Sequence, residues 1–281
     1  MHPGRDEKIL TSWNALAIGG MARAARIFGR ADWLASARRA LGFVRGTLWD
    51  GERLLATYKD GRAHLNAYLD DYAFLLDALI ELVQAEFDPD DLAFAEDLAE
   101  ALLERFADGE AGGFFFTSHD HERLIHRPKP AHDNATPSGN GVAAFALNRL
   151  GHLSGETRYT LAAERAVAAF YPAMTQSPAG FGTLLMALDE ILAPPRVAVV
   201  RGEAQALPAW RDALARRYRP DMLALAVPAG ASGLSPVLDK PASAGAVNAY
   251  LCEGVTCLPP VSDVPAFEAL LGAPRAGKQT G

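Results

Sequence analysis

Cysteine is scarce in this sequence. Cys252 and Cys257 are the two thiols among 281 residues, which excludes a metal site built of cysteines alone and leaves no disulfide framework to organise the chain. On one extended strand, positions five apart point to opposite faces, so the two meet only if Glu253 and Gly254 make a turn or bulge. The expectation is therefore two small buried or half-buried side chains rather than a redox or ligand pair. Long apolar runs are missing as well. No stretch approaches the roughly 20 residues of a spanning helix, and the opening MHPGRDEKILTSW has no signal-peptide core. No membrane association is expected, and the cytoplasm is the default compartment. Clusters of Lys and Arg are also lacking, and with a formal charge of −7 nucleic acid is not an expected partner.

What is present is ordinary for a soluble globular chain, with 49% hydrophobic and 22% charged residues. The length suffices for one large helical domain with a smaller appendage. Leu10, Trp13, Ala17, Met21, Ala24 and Phe28 keep the three-and-four spacing of an amphipathic helix. After three residues Leu34, Ala37, Leu41, Val44 and Leu48 repeat it, with Asp32 as a candidate cap. So short a connection makes the pair an antiparallel hairpin. A turn-rich extended excursion, 49–66, leads to a third helix, whose stripe Leu69, Tyr72, Leu76, Leu79 and Val83 is widened by Phe74, Leu75 and Ile80. That breadth predicts cover on more than one side. Pro89 then opens a fourth helix behind Asp88, with Leu92, Ala95, Ala99, Leu102 and Phe106 inward.

A second long connection, 107–137, precedes a fifth helix opening at Pro137, Ser138 and Asn140. A sixth carries Leu161, Val167 and Phe170, and a further helical segment spans 181–192. From Arg196 the character changes. RVAVV, a helix over 210–218 and MLALAV read as a strand, helix, strand unit with a parallel pair. AVNAYLC adds a third strand, 264–271 a closing helix, and the last residues should fray. The fold class is thus mainly α, an array of antiparallel hairpins over 1–195, followed by a small α/β subdomain over 196–281.

The connections alternate in length. They are a few residues long after helices one, three and five, but roughly 20 to 30 after helices two and four, unusual unless functional. All long loops of such an array lie on one face, where helices one, three and five begin. Their first turns read Thr11, Ser12, Trp13, Asn14; then Asp70, Asp71, Tyr72; then Ser138, Gly139, Asn140. Each places hydrogen-bonding groups beside unsatisfied helix-start amides, an environment suited to hydroxyl-rich or anionic ligands, although the same residue types also serve as plain caps.

Acid and base chemistry is available there. Asp70 and Asp71 point about 100 degrees apart on a helix, so a working carboxylate pair joins one of them to Asp133 on the neighbouring loop. A separation of about 5 to 9.5 Å would suit glycoside-type chemistry. Trp13, Asn14, Tyr72, Ser138 and Asn140 are candidate ligand contacts, and Arg127 could clamp a carboxylate or pair with one of the Asp residues. His64 and His132 precede helices three and five as possible bases. His119, His121, His126 and His132 read as scattered loop imidazoles rather than metal ligands, so neither a metal nor a cofactor is expected. Phe114, Phe115 and Phe116 are expected to anchor their loop in the core.

Several of these segments resemble a known family. RDEKILTSWNAL (5–16), LDDYAFLLDALIEL (69–82), GGFFFT (112–117), Arg127 to Lys129, DNATPSGNGVAA (133–144) and AYLCEGVTCLPPV (249–261) look like the C-terminal region of the spermatogenesis-associated, thioredoxin-like (YyaL-like) proteins, in the same order along nearly the whole chain. The resemblance implies a helical region similar to the six-hairpin glycosidase toroids, relatives of sugar epimerases and glucuronyl hydrolases. The family's thioredoxin-like domain and Cys-x-x-Cys are not in this chain. Two readings follow: a carbohydrate-processing pocket that uses paired carboxylates on a small sugar ligand, or a non-catalytic binding or scaffold module. Because a closed six-hairpin ring needs twelve helices and about seven precede the α/β tail, an open edge on the helix one to helix three side is expected to pair with a second copy or a separately encoded upstream half.

Overall fold

A computed structural model describes residues 6–122, 124–216, 219–243, 245–254 and 256–273. Arg123, the expected helix end at Tyr218 and the expected frayed terminus beyond 273 lie outside them. The first hairpin pairs α1 (Thr11–Phe28) with α2 (Ala31–Phe43), which runs on through a π-helical turn, Val44–Leu48. The second pairs α3 (Leu69–Ala85) with α4 (Pro89–Arg105), and the third pairs α5 (Gly139–Ser154) with α6 (Thr157–Gln176), before α7 (Gly182–Leu192). Gly29 and Gly155 close the first and third inner helices in the left-handed conformation that a side chain disfavours. Asp88 caps α4 by accepting the Asp90 amide. Asp32 does not cap α2; it lies inside the first turn and pairs with Arg30.

Helices α1, α3, α5 and α7 pack side by side as an inner row, and α2, α4 and α6 lie outside their hairpin partners. The breadth of apolar residues on α3 has the predicted result, since fourteen of its seventeen residues are buried between α1, α4 and α5. The exposed apolar side chains include Trp13, Ile27 and Phe28 on α1 and Leu185, Met186 and Leu192 on α7. On α6 the buried stripe is Tyr159, Ala163, Ala166, Val167 and Met174, with Leu161 turned outward.

The excursion after α2 is an antiparallel sheet of β1 (Ile9–Leu10), β2 (Leu55–Lys59) and β3 (Arg62–Asn66). Asp60 and Gly61 turn the β2–β3 hairpin with positive φ at both positions. The C-terminal sheet holds β4 (Arg196–Gly202), β5 (Met222–Pro228), β6 (Asn248–Glu253) and β7 (Thr256–Cys257) in the order β5-β4-β6-β7. β4 and β5 are parallel, as the crossover through α8 (Pro208–Ala215) demands, and α9 (Val264–Gly272) closes the unit. Alternation sorts its faces. Val197, Val199, Leu223 and Leu225 join the helical core, whereas Ala198 and Val200 pack with Trp210 and Phe267 beneath α8 and α9.

The cysteine expectation needs correction. β6 turns back at Glu253 and Gly254, which sets Cys252 opposite Cys257 in the β6–β7 register, and the two are joined in a disulfide. The turn was the one condition under which residues five apart could meet.

Candidate functional site

The starts of the inner helices are tied to one another. The Ser12 amide of α1 donates to Asp71 Oδ1 of α3 (2.8 Å), and the Tyr68 amide donates to Asp71 Oδ2 (2.9 Å). Asp133 links α5 to α7, accepting the Ser138 amide on Oδ1 (2.8 Å) and the Thr183 amide on Oδ2 (2.8 Å). Between α3 and α5 the contact is closer still, because a Cβ on Gly139 would fall 2.2 Å from Asp70 Oδ1. Glycine here makes room for a carboxylate. Through the Ser138–Gly139 backbone, Asp70 and Asp133 are held within about 10 Å of each other.

The three carboxyls differ in what surrounds them. Asp71 is 4% exposed; burial pushes it up to about 6 against the lowering pull of the Tyr68 and Ser12 amides. Both of its oxygens hold amides at helix starts, so it acts as the clasp between α1 and α3. Asp133 is opposed by its own burial, but the Thr183 and Ser138 amides outweigh that and hold it below its ordinary value. Each carboxylate oxygen has a second lone pair, so this bonding leaves acceptor capacity. Asp70 is the exception. Its Oδ1 is buried without a hydrogen-bond partner, and burial alone pushes the group up to about 6.

Two expected ligand contacts prove to be core groups. Tyr72 is 1% exposed, with its hydroxyl accepting the Leu54 amide and its ring on Phe106. Asn140 is fully buried and latches the long loop, accepting from the Phe114 amide and donating to the Phe114 and Pro130 carbonyls. Ser138 is the N-cap of α5 through the Gly141 amide. Arg127 donates to the Thr117 carbonyl and lies over the Phe115 ring. The side chains left near the surface of this end are Trp13, 65% exposed, and half-buried Asn14, which donates to the Leu10 carbonyl.

The aromatic loop behaves as expected of an anchor, with Phe114 buried and Phe116 stacked on Tyr68. His64 sits beside Thr57, and His132 bonds the Asp133 carbonyl and packs on Phe181. Among the described residues no group of three or more His, Cys, Asp or Glu is placed to hold a metal ion.

At the other end of the inner row lies a feature that sequence reasoning missed. A cavity of about 320 Å³ opens where α1, α3, α5 and α7 meet α8 and β5. Its wall holds buried Glu81, bonded to Arg23 (2.8 Å) and Arg26 (3.1 Å) and 3.4 Å from Arg149. Arg149 also forks onto Glu190 and donates to the Pro220 carbonyl. Gln84 accepts from Arg26 and from the Ala224 amide, fastening the sheet to α3. The available signal was a charge inside an apolar run, as with Glu81 in ALIELV and Arg149 in ALNRLG.

No protein-family model matches the chain. It is 27% identical over 279 residues to human spermatogenesis-associated protein 20, covering 93% of this chain and 36% of that protein. An uncharacterized protein of Caenorhabditis elegans is 24% identical over 280 residues, covering 95% of this chain and 38% of its own length. The chain thus spans somewhat over a third of the length of these two relatives. Among solved structures, the cellobiose 2-epimerase of Bacillus thermoamylovorans superposes with a TM-score of 0.50 at 12% identity, over 67% of this chain and 60% of the epimerase. The resemblance to spermatogenesis-associated proteins holds, and the helical part is a partial α/α toroid. No helix among the described residues is long and apolar enough to cross a membrane.

Proposed function

We propose that the long-loop end of the helical array binds a carbohydrate, and that Asp70 serves there as general acid with Asp133 as its partner base, in a reaction of the sugar hydrolase or epimerase class. The observation that carries this reading is the Asp70 carboxyl, whose buried Oδ1 has no partner and whose pKa is pushed up to about 6. A carboxylic acid kept partly protonated near neutral pH can deliver a proton, while a neighbour held low remains ready to take one. Asp133 is that neighbour. The exposed Trp13 ring offers a face for the sugar's C–H groups. The fold shared with a cellobiose 2-epimerase supports the substrate class.

Titration calorimetry with cellobiose, mannose and glucuronate, alongside product analysis, tests it. Binding of at least one sugar is expected, with turnover lost and binding kept in Asp70→Asn. Turnover that survives the substitution, or a chain that binds none of the sugars, defeats the proposal. The second reading, a non-catalytic scaffold, is favoured by Asp71, Asp133 and Asn140 all being engaged with backbone groups; it expects no sugar binding at all.

A further inference from the structure

The cavity at the far end of the inner row is separate from the helix-start site. Arg23 stands twelve residues after Thr11, which on a helix is about 18 Å along the axis. Here the inner helices, the α8 end and the start of β5 enclose a space of about 320 Å³, at the seam between two structural units where ligand pockets are often found.

Its charges are balanced and sorted. Among the described residues the lining has four arginines and four carboxylates, a set that offers a ligand of single-sign charge no net Coulombic attraction for the water it gives up. The signs are not mixed evenly around the wall. α1 contributes Arg23 and Arg26, whereas α7 contributes Asp189 and Glu190. Asp189 is exposed, and its carboxylate makes no hydrogen bond or ion pair among the described residues. A neutral sugar would want a bare aromatic face, but the Phe145 ring is already covered by the Arg149 guanidinium at 4.0 Å. The remaining wall is apolar, with Ile27, Met186, Leu214 and Met222.

We infer that this cavity binds a small zwitterion of amino-acid size, its carboxylate toward the α1 arginines and its ammonium toward Asp189 of α7. The apolar wall receives the side chain. Glu81 fixes the α1 arginines and the Arg149–Glu190 pair fixes α7, so the helices that carry the two poles are in place before the ligand arrives.

The test is binding of the individual proteinogenic L-amino acids to the whole chain, followed by ligand-observed NMR and calorimetry, with acetate, methylammonium and cellobiose as comparison probes. At least one amino acid is expected to saturate the protein in the millimolar range or tighter. Asp189→Asn should weaken it roughly tenfold, and Met186→Trp, at a half-exposed position on the cavity wall, should abolish it by filling the space. Both positions are exposed, so the melting temperature of each variant should stay near that of the parent. The inference is overturned if no amino acid binds, or if binding persists unchanged in both variants. It is equally overturned if acetate or methylammonium alone binds as tightly, or if cellobiose is the probe that Met186→Trp excludes.

Discussion

Replacing Asp70 by Asn should make the protein more stable, and only above mildly acidic pH. In the fold this carboxyl is pushed up to about 6 by burial, whereas in the unfolded chain it titrates near its ordinary value of about 3.9. Below both values it is neutral in either state and costs nothing. As pH rises through about 6, the fold must ionise a carboxyl that its surroundings disfavour, so the stability present in acid is progressively lost. A pKa raised by about two corresponds to roughly 3 kcal/mol. Asp70 is only half-buried, and solvent screening brings this nearer to about 1–2 kcal/mol. Asn keeps the shape and removes the charge, so melting of the variant should exceed that of the parent by several degrees near pH 8, at roughly 2–4 °C per kcal/mol. The two curves should converge near about pH 4. Thermal melts across that range read the difference directly. A variant less stable than the parent at the upper end would refute the reasoning, because it would mean that Asp70 holds a partner whose loss matters. Asp71→Asn supplies the contrast: it loses an amide acceptor in a buried clasp and should fall by about 1–3 kcal/mol.

Asp133→Asn should abolish any turnover, yet it also removes one acceptor from the α5–α7 link, so a loss of about 1–3 kcal/mol in a denaturant melt is expected with it. A full-strength melt would show that the link does not carry weight. Reducing the Cys252–Cys257 bond, which closes a very short loop, should cost about 2 kcal/mol by loop entropy, readable as a lower melting temperature with dithiothreitol that Cys257→Ser reproduces. Trp13 and Phe28, 65% and 69% exposed, leave apolar surface on α1 that a second copy of the chain would cover. Sedimentation should then show mass rising with concentration, and Trp13→Ser with Phe28→Ser should suppress the rise; a parent monomeric throughout removes the expectation.

The helical skeleton was legible because its signals are local. Periodicity marked the seven helices that precede Arg196, Pro89 marked the opening of the fourth, and loop length alone placed three helix starts together. Roles at those starts were not legible, since Asp, Ser and Asn serve equally as caps and as ligand contacts. Asp71, Tyr72 and Asn140 were committed by partners far away in sequence: Ser12, Leu54 and Phe114. The buried Asp70 Oδ1 has none among the described residues. The Cys252–Cys257 bond escaped for a similar reason, because it depends on the register of a strand two residues long.

The face of the C-terminal sheet that enters the helical core has a practical bearing on how the chain can be divided. Anyone trimming it at Pro195 to obtain a tidy helical fragment would cut through a shared interior, stripping Val197, Val199, Leu223 and Leu225 from the helices they cover and the Ala224 amide from Gln84. With that interior shared, the helical fragment should come out of cells insoluble, and the intact chain should lose both parts in a single step.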